Sequence, residues 1–285
     1  MSRPKVVRVR KSQPCTVCGL GRPDWCGISS DGKTAFCMRV QSDQQAKNGA
    51  WIHRLDQPLA KEFLPEPKKR PPPPDFERLL AAFKARTSIG QLERHARNLG
   101  VSSGCLKSMQ CCDYNGNLAF PMWLKGRCVG IQYRATTGKK WSEIGSHHGL
   151  FQPTEKGALA GKMLVVVEGA SDTAAMLSAG VACVGRPSCL GLEKPIAELG
   201  RGRLVVIVAD RDQDKTRPDG TLWNPGREGA IRLGQACLKT AWKVKVLMPP
   251  GCKDVRAWFS RSINRLTRDR FLEAVEAADV FEGEL

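Results

Sequence analysis

Tyrosine is scarce: the 285 residues contain two, Tyr114 and Tyr133. Cleavage of DNA through a phosphotyrosine needs such a nucleophile in a large separate domain, for which the chain has no room, so that chemistry is set aside. Long apolar runs are missing as well. None reaches the roughly 18–20 residues that cross a bilayer, and the basic N-terminus MSRPKVVRVRKSQPC lacks the apolar stretch of a secretory signal. The expectation is a cytoplasmic chain with no membrane partner. A Walker A pattern, GxxxxGK followed by Ser or Thr, does not occur, so a motor of that type is not expected here. Acidic residues are outnumbered, 28 against 45 Lys and Arg, for a formal net charge of +17. That excess favours a polyanionic partner, of which nucleic acid is the commonest.

Cysteine is plentiful. Of twelve, four are grouped at Cys15, Cys18, Cys26 and Cys37 with the spacing C-x2-C-x7-C-x10-C, and eight are scattered through apolar segments. This suits a cytosolic protein with one metal site better than a disulfide framework. A Cys-x2-Cys knuckle sets two thiolates on one tight turn, and the second pair flanks the hairpin signal Ser30-Asp31-Gly32-Lys33. Four thiolates in this order predict a structural Zn²⁺ in a zinc ribbon. The following GAWIHRLD reads as a further strand, with His53 an alternative ligand or, more simply, a surface histidine. Residues 1–13 read as a basic arm, either ordered by phosphate or a solvated tail.

The chain then changes texture. LPEPKKRPPPPD, residues 64–75, predicts an extended polyproline spacer. Phe76, Leu79, Leu80 and Phe83 recur at helical spacing, and Thr87-Ser88 offers an N-cap to a second helix carrying Ile89, Leu92 and His95. LGVSSGCLKSMQC continues as a short helix and turn, with Cys111 and Cys112 as reduced packing residues. Residues 113–152 read as short strands, LAFPMW, RCVGIQYRA and KKWSEIG, with turns at Lys125-Gly126 and Thr137-Gly138.

Beyond residue 160 the pattern is α/β: strand 163–168, helix 171–179, strand 181–185, a helix near 190–198, strand 203–209, helix 227–240 and strand 243–248. The runs LVVV and LVVIV do not alternate, which suits parallel strands covered on both faces. Ligands bind beyond the carboxyl ends of such strands, where the sequence delivers Glu168, Asp210 and Asp212. Converging carboxylates repel one another unless cations lie between them, and hard oxygen donors suit Mg²⁺ or Mn²⁺.

Glu at the end of one strand and Asp-x-Asp at the end of a later one resemble the Toprim domain shared by bacterial primases, topoisomerases and some nucleases. A second resemblance narrows this to the bacterial primase family, in the compact form of phages and mobile elements. It rests on Phe120-Pro121, Gly126-Arg127-Cys128-Val129-Gly130, Arg134, Lys139-Lys140, Leu150-Phe151 and Lys253-Asp254, and spans roughly the C-terminal two-thirds of the sequence. The resemblance implies α/β architecture in this order: a zinc ribbon with its arm over 1–63, linker 64–75, a helical and β-strand part over 76–160, a Toprim parallel-sheet domain over 161–260, and a C-terminal helix over 261–285. It implies metal-dependent nucleotidyl transfer that makes short RNA primers on single-stranded DNA, with nucleoside triphosphates as substrates and a separately encoded replicative helicase as partner. Asp210 and Asp212 would hold Mg²⁺ or Mn²⁺, and Glu168 would be a further ligand or the base. Arg134, Lys139, Lys140, Gly169, Gly185, Arg186 and Lys253 would meet nucleotide or nucleic acid. Asp254 also reads as an N-cap. The sequence departs from the family twice: its cysteines replace a Cys-His-Cys-Cys pattern, and an insertion separates Asp-x-Asp from the Gly-led helix of NPGREGA. Asp214, in that insertion, is either a third metal ligand or a supporting loop acid. A non-catalytic zinc/Toprim DNA clamp and a Toprim nuclease are the competing functions.

Overall fold

The computed structural model describes residues 6–10, 13–20, 26–46, 48–56, 72, 74–216, 220–259 and 265–284. They fall into two compact units, Met1–Pro71 and Pro72–Leu285. The first unit holds one antiparallel sheet in the order β1 (Val6–Arg8), β2 (Gly27–Ser29), β3 (Thr34–Cys37) and β4 (Trp51–Arg54). The expected arm therefore contributes a strand: Val6 to Arg8 pair with Ser29 to Gly27, and Val9 is buried against Cys15, Cys26, Ile28 and Cys37. Its alternating valines and arginines explain this, since one face of the strand meets the small core and the other meets solvent. The turn between β2 and β3 is closed by Asp31, whose carboxylate accepts from the Lys33 N–H at 3.1 Å. Most of the proline-rich spacer lies outside the described residues. Its last residue, Asp75, caps the first helix by accepting from the N–H groups of Glu77 and Arg78.

In the second unit, α1 (Phe76–Arg86), α2 (Ile89–Leu99) and α3 (Ser103–Ser108) precede an antiparallel sheet of β5 (Cys112–Tyr114), β6 (Asn117–Leu124), β7 (Arg127–Arg134) and β8 (Lys140–Ser142). Ser88 and Gln91 form a capping box at the start of α2. The connections β5–β6 and β6–β7 are two-residue turns, Asn115-Gly116 and Lys125-Gly126. Both residues of each have positive φ, as primed hairpin turns require. Phe76, Leu80 and Phe83 of α1 bury one face of this sheet against Ile131 and Tyr133.

The remainder alternates: β9 (Met163–Glu168), α4 (Ala170–Ser178), β10 (Cys183–Arg186), α5 (Glu193–Leu199), β11 (Leu204–Val208), the ribbon β12 (Lys215–Thr216) and β13 (Leu222–Trp223), α6 (Pro225–Leu238), β14 (Lys243–Leu247), α7 (Val255–Phe259) and α8 (Arg265–Ala277). The parallel sheet runs β10-β9-β11-β14. Its successive residues serve opposite faces. Leu164, Val166, Val205 and Ile207 meet α5 and α6, whereas Val165, Val167, Val206 and Val208 meet α4, α7 and α8. Each such side chain contributes about 1.5–3 kcal/mol by leaving water. The C-terminal helix closes the second face with Phe271 and Val275. The two sheets are joined by the bridges Trp123 to Leu150 and Phe151 to Gly185, which set the antiparallel sheet beside the carboxyl ends of the parallel one.

Candidate functional site

In the first unit, Cys15, Cys18, Cys26 and Cys37 bring their sulfurs within 4.8 Å of one another. A Zn²⁺ with Zn–S bonds of about 2.3 Å separates its sulfurs by about 3.8 Å, and Cys18 Sγ lies 4.0 Å from Cys26 Sγ. Backbone N–H groups point at the acceptors: Met38 donates to Cys26 Sγ at 3.4 Å, and Val40 to Cys37 Sγ at 3.3 Å. Burial pushes the Cys26 thiol up to about 12. Burial acts on Cys18 in the same direction, but the Leu20 N–H and the neighbouring thiols outweigh it and bring it to about 7. The donor set fits Zn²⁺, and the group is consistent with a structural zinc. His53 stays outside it, with Nε2 3.0 Å from the Val40 carbonyl oxygen.

The second site is a cleft of about 300 Å³ at the carboxyl ends of the parallel strands. Carboxylates enter it from β9 (Glu168), α4 (Asp172), the end of β11 (Asp210) and the start of α7 (Asp254). Cations enter from the antiparallel sheet (Arg134, Lys140), β10 (Arg186), and the loop and helix after β14 (Lys253, Arg256). Of the residues expected there, Glu168, Asp210, Gly169, Arg134, Lys140, Arg186 and Lys253 line the cleft. Lys139 is exposed, and neither it nor Gly185, Asp212 or Asp214 is among its lining residues.

Two of these positions differ from the sequence reading. Gly185 and Arg186, both expected to meet nucleotide or nucleic acid, belong to β10. Gly185 is glycine because a Cβ would collide with Thr173 Oγ1 and the Gly169 carbonyl, so α4 can pack directly on the strand. Arg186 is 1% exposed and faces Glu168 across the β9–β10 register, Nη2 to Oε1 3.6 Å. Its Nη1 donates to the Gly229 carbonyl at 3.5 Å, while its Nε and Glu168 Oε1 have no hydrogen-bond partner. Gly169 turns the chain from β9 into α4 at φ 84°, and its N–H donates to the Arg186 carbonyl at 2.6 Å.

Burial raises three of the acids here. Glu168 reaches about 7, desolvation outweighing Arg186 and being reinforced by Asp212 and Asp172. Asp210 reaches about 8, from burial and then repulsion by Asp172, Glu168, Asp254 and Asp212. Asp172 reaches about 6, from burial and Asp254, against the Arg256 N–H that it accepts at 2.9 Å. Burial, then the Arg256 charge, lowers Arg134. Asp172 and Arg256 were not singled out in the sequence. The usable signal was Asp172 four residues after Glu168, which places it in the first turn of the helix that Gly169 opens. Among the described residues the cysteines form the one group whose ligand atoms gather that tightly, so the acids share a cleft without closing on a common point. Oxygen-only donors and mutual repulsion fit a divalent cation.

Asp212 and Asp214 are held from the other side. Asn224 Nδ2 donates to the Asp212 carbonyl at 2.7 Å and to Asp214 Oδ1 at 3.0 Å. Asp254 caps α7, accepting from the Ala257 N–H at 2.7 Å.

No family model and no curated protein matches the chain. Solved structures do. The Aquifex aeolicus primase, comprising zinc-binding and RNA polymerase domains, matches with a TM-score of 0.55 and 12% identity over 99% of this chain and 80% of that one. The E. coli primase catalytic core matches with a TM-score of 0.52 and 16% identity, over 71% and 79% respectively. A DnaG primase catalytic domain bound to single-stranded DNA gives a TM-score of 0.52 and 15% identity, over 72% and 80%. With its four-cysteine ribbon, antiparallel subdomain and parallel α/β sheet, the chain has the fold of the zinc-binding and RNA polymerase domains of bacterial primases.

Proposed function

We propose that the chain is a DNA primase, joining nucleoside triphosphates into short RNA primers on a single-stranded DNA template, in phage or mobile-element replication. The observation that carries the reading is the cleft, in which half-buried Glu168 and Asp210 face five cations beyond the carboxyl ends of a parallel sheet. The fold of primase catalytic cores, one of them bound to single-stranded DNA, supports the same reading.

Glu168, Asp210 and Asp212, with Asp214 in support, would hold Mg²⁺ or Mn²⁺. Such an ion supplies positive charge to a triphosphate and lowers the barrier to its attack by a 3′-hydroxyl. Arg134, Lys140, Lys253 and Arg256 would bind the triphosphate oxygens and orient the α-phosphate toward that hydroxyl. Glu168 would be a further metal ligand or the base that accepts the hydroxyl proton, and Arg186 beside it favours the ionised, proton-accepting form. Lys139, on the exposed end of the same hairpin, would follow the template backbone. Zn²⁺ in the ribbon would be structural. A separately encoded replicative helicase would supply unwinding.

The test is a priming assay on single-stranded templates with labelled ribonucleotides and Mg²⁺ or Mn²⁺. Primers are expected from the wild type, with Asp210→Ala/Asp212→Ala reduced by a factor of about 10³ or more. A shortened template would make the chain a nuclease, and template retention without product would make it a clamp.

A further inference from the structure

We infer that Asn224 is a positioning residue for the acidic loop, fixing the chain at Asp212 and Asp214 directly after the cleft residue Asp210; this rests on the metal-dependent reading of the cleft. After β11 the chain carries Asp210, Asp212 and Asp214, departs into the β12–β13 ribbon and returns to α6. An insertion placed there would be expected to loosen the acids it follows. Three contacts prevent that.

The ribbon closes on itself at its neck, where Lys215 pairs with Trp223 and Thr216 with Leu222. The chain therefore leaves and re-enters at one place, directly before Asn224. At the other side of the loop, the Arg211 N–H donates to the Lys253 carbonyl at 2.7 Å. Asn224 then joins the two. Its Oδ1 accepts from the Arg227 N–H at 3.0 Å, capping α6, while its Nδ2 donates to the Asp212 carbonyl at 2.7 Å and to Asp214 Oδ1 at 3.0 Å. Both hydrogens of one amide are thus spent on the acidic loop, and the carbonyl of that amide on the helix. Two residues on, Gly226 packs so closely on the Asp210 carbonyl that a Cβ has no space. The helix start and the acidic loop form one rigid corner, with Asn224 as its pin.

The three roles of the amide are separable by substitution. Ser and Thr cap helices well but carry no donor that reaches the loop. Asn224→Ser in the full chain should keep α6 and the melting temperature, yet release the loop. Hydrogen exchange at the backbone amides of 211–216 should speed up about tenfold while the rest of the sheet is unchanged. Mn²⁺ affinity, read by the free-ion electron paramagnetic signal in zinc-loaded protein, should fall about tenfold, as for other residues that orient metal ligands from behind. Asn224→Thr is the second variant should Asn224→Ser fold poorly. A folded variant with wild-type exchange over 211–216, or with wild-type Mn²⁺ affinity, overturns the role given to Asn224 and leaves the metal reading intact. A wild-type chain whose Mn²⁺ signal is unchanged by Asp210→Ala overturns the metal reading itself, and the purpose given to Asn224 with it.

Discussion

Glu168 and Asp210 have been moved by burial to about 7 and about 8, and this has a measurable sign. An acid whose folded-state value is raised binds its proton more tightly folded than unfolded. Near pH 4 and below, both states are protonated and these groups oppose folding little. As pH rises from about 4 to about 8, the unfolded chain has already ionised these groups while the folded chain still holds their protons in a desolvated cleft, so stability is lost until the folded values are passed. With zinc present but no Mg²⁺ or Mn²⁺, the melting temperature should therefore fall between about pH 4 and about pH 8 and level off above. Asp210→Asn should flatten that decline and leave the variant about 1–3 kcal/mol more stable than wild type at pH 9. Added Mn²⁺ should raise the wild-type midpoint more at pH 8.5 than at pH 6, because it binds the deprotonated acids. Thermal melts across this range decide the matter; a flat profile would mean that water reaches these carboxylates freely. Arg186 limits the effect for Glu168 without removing it, since the pair is 3.6 Å apart and both groups retain an unbonded polar atom.

Elements were largely legible in the sequence, for physical reasons that also explain the omissions. β9 and β11 are β-branched runs long enough to bury both faces, and their ends fix where Glu168 and Asp210 stand. β10 is four residues long and ends in an arginine, so its last residue fell outside the strand expected over 181–185. Only the neighbouring strand, which presents Glu168 opposite, makes a buried arginine acceptable there. β5 is three residues, but the Asn115-Gly116 turn after it was a readable hairpin signal. Arg256 could not be assigned from spacing, because it meets Asp172 across 84 residues of sequence. The same dependence on close packing gives a prediction at α6. Gly226→Ala places a methyl group against the Asp210 carbonyl, which is backbone and cannot swing aside. The helix must back away from β11, so primer synthesis should fall by about 10²-fold, with a stability loss of about 1–3 kcal/mol. Gly90→Ala, where a Cβ meets nothing, is the control.

For the whole molecule, the division into Met1–Pro71 and Pro72–Leu285 separates two unlike sources of stability. The second unit has apolar clusters on both faces of its parallel sheet and on its antiparallel sheet. Among the described residues, the first has Val9, Ile28, Ala35 and Ala50 as its buried apolar residues beside three buried cysteines. So small a core cannot offset the conformational entropy of ordering four strands, and a structural zinc typically supplies about 10–16 kcal/mol of apparent binding energy in such modules. Removing zinc should therefore unfold the first unit alone. Titration with a thiol reagent in the presence of a zinc-sensitive dye should release one ion per chain as the four cysteines react. Proteolysis should then cut within the first unit, while the second keeps its circular dichroism and melting transition. Cys37→Ser should reproduce this without reagent, because its sulfur is fully buried and accepts backbone N–H groups from Arg39 and Val40. If the first unit resisted protease after its zinc was gone, the strand pairing of β1 through β4 would be self-sufficient and the metal only a late addition. If both units melted together, the separation at Pro71 would be geometric and not energetic.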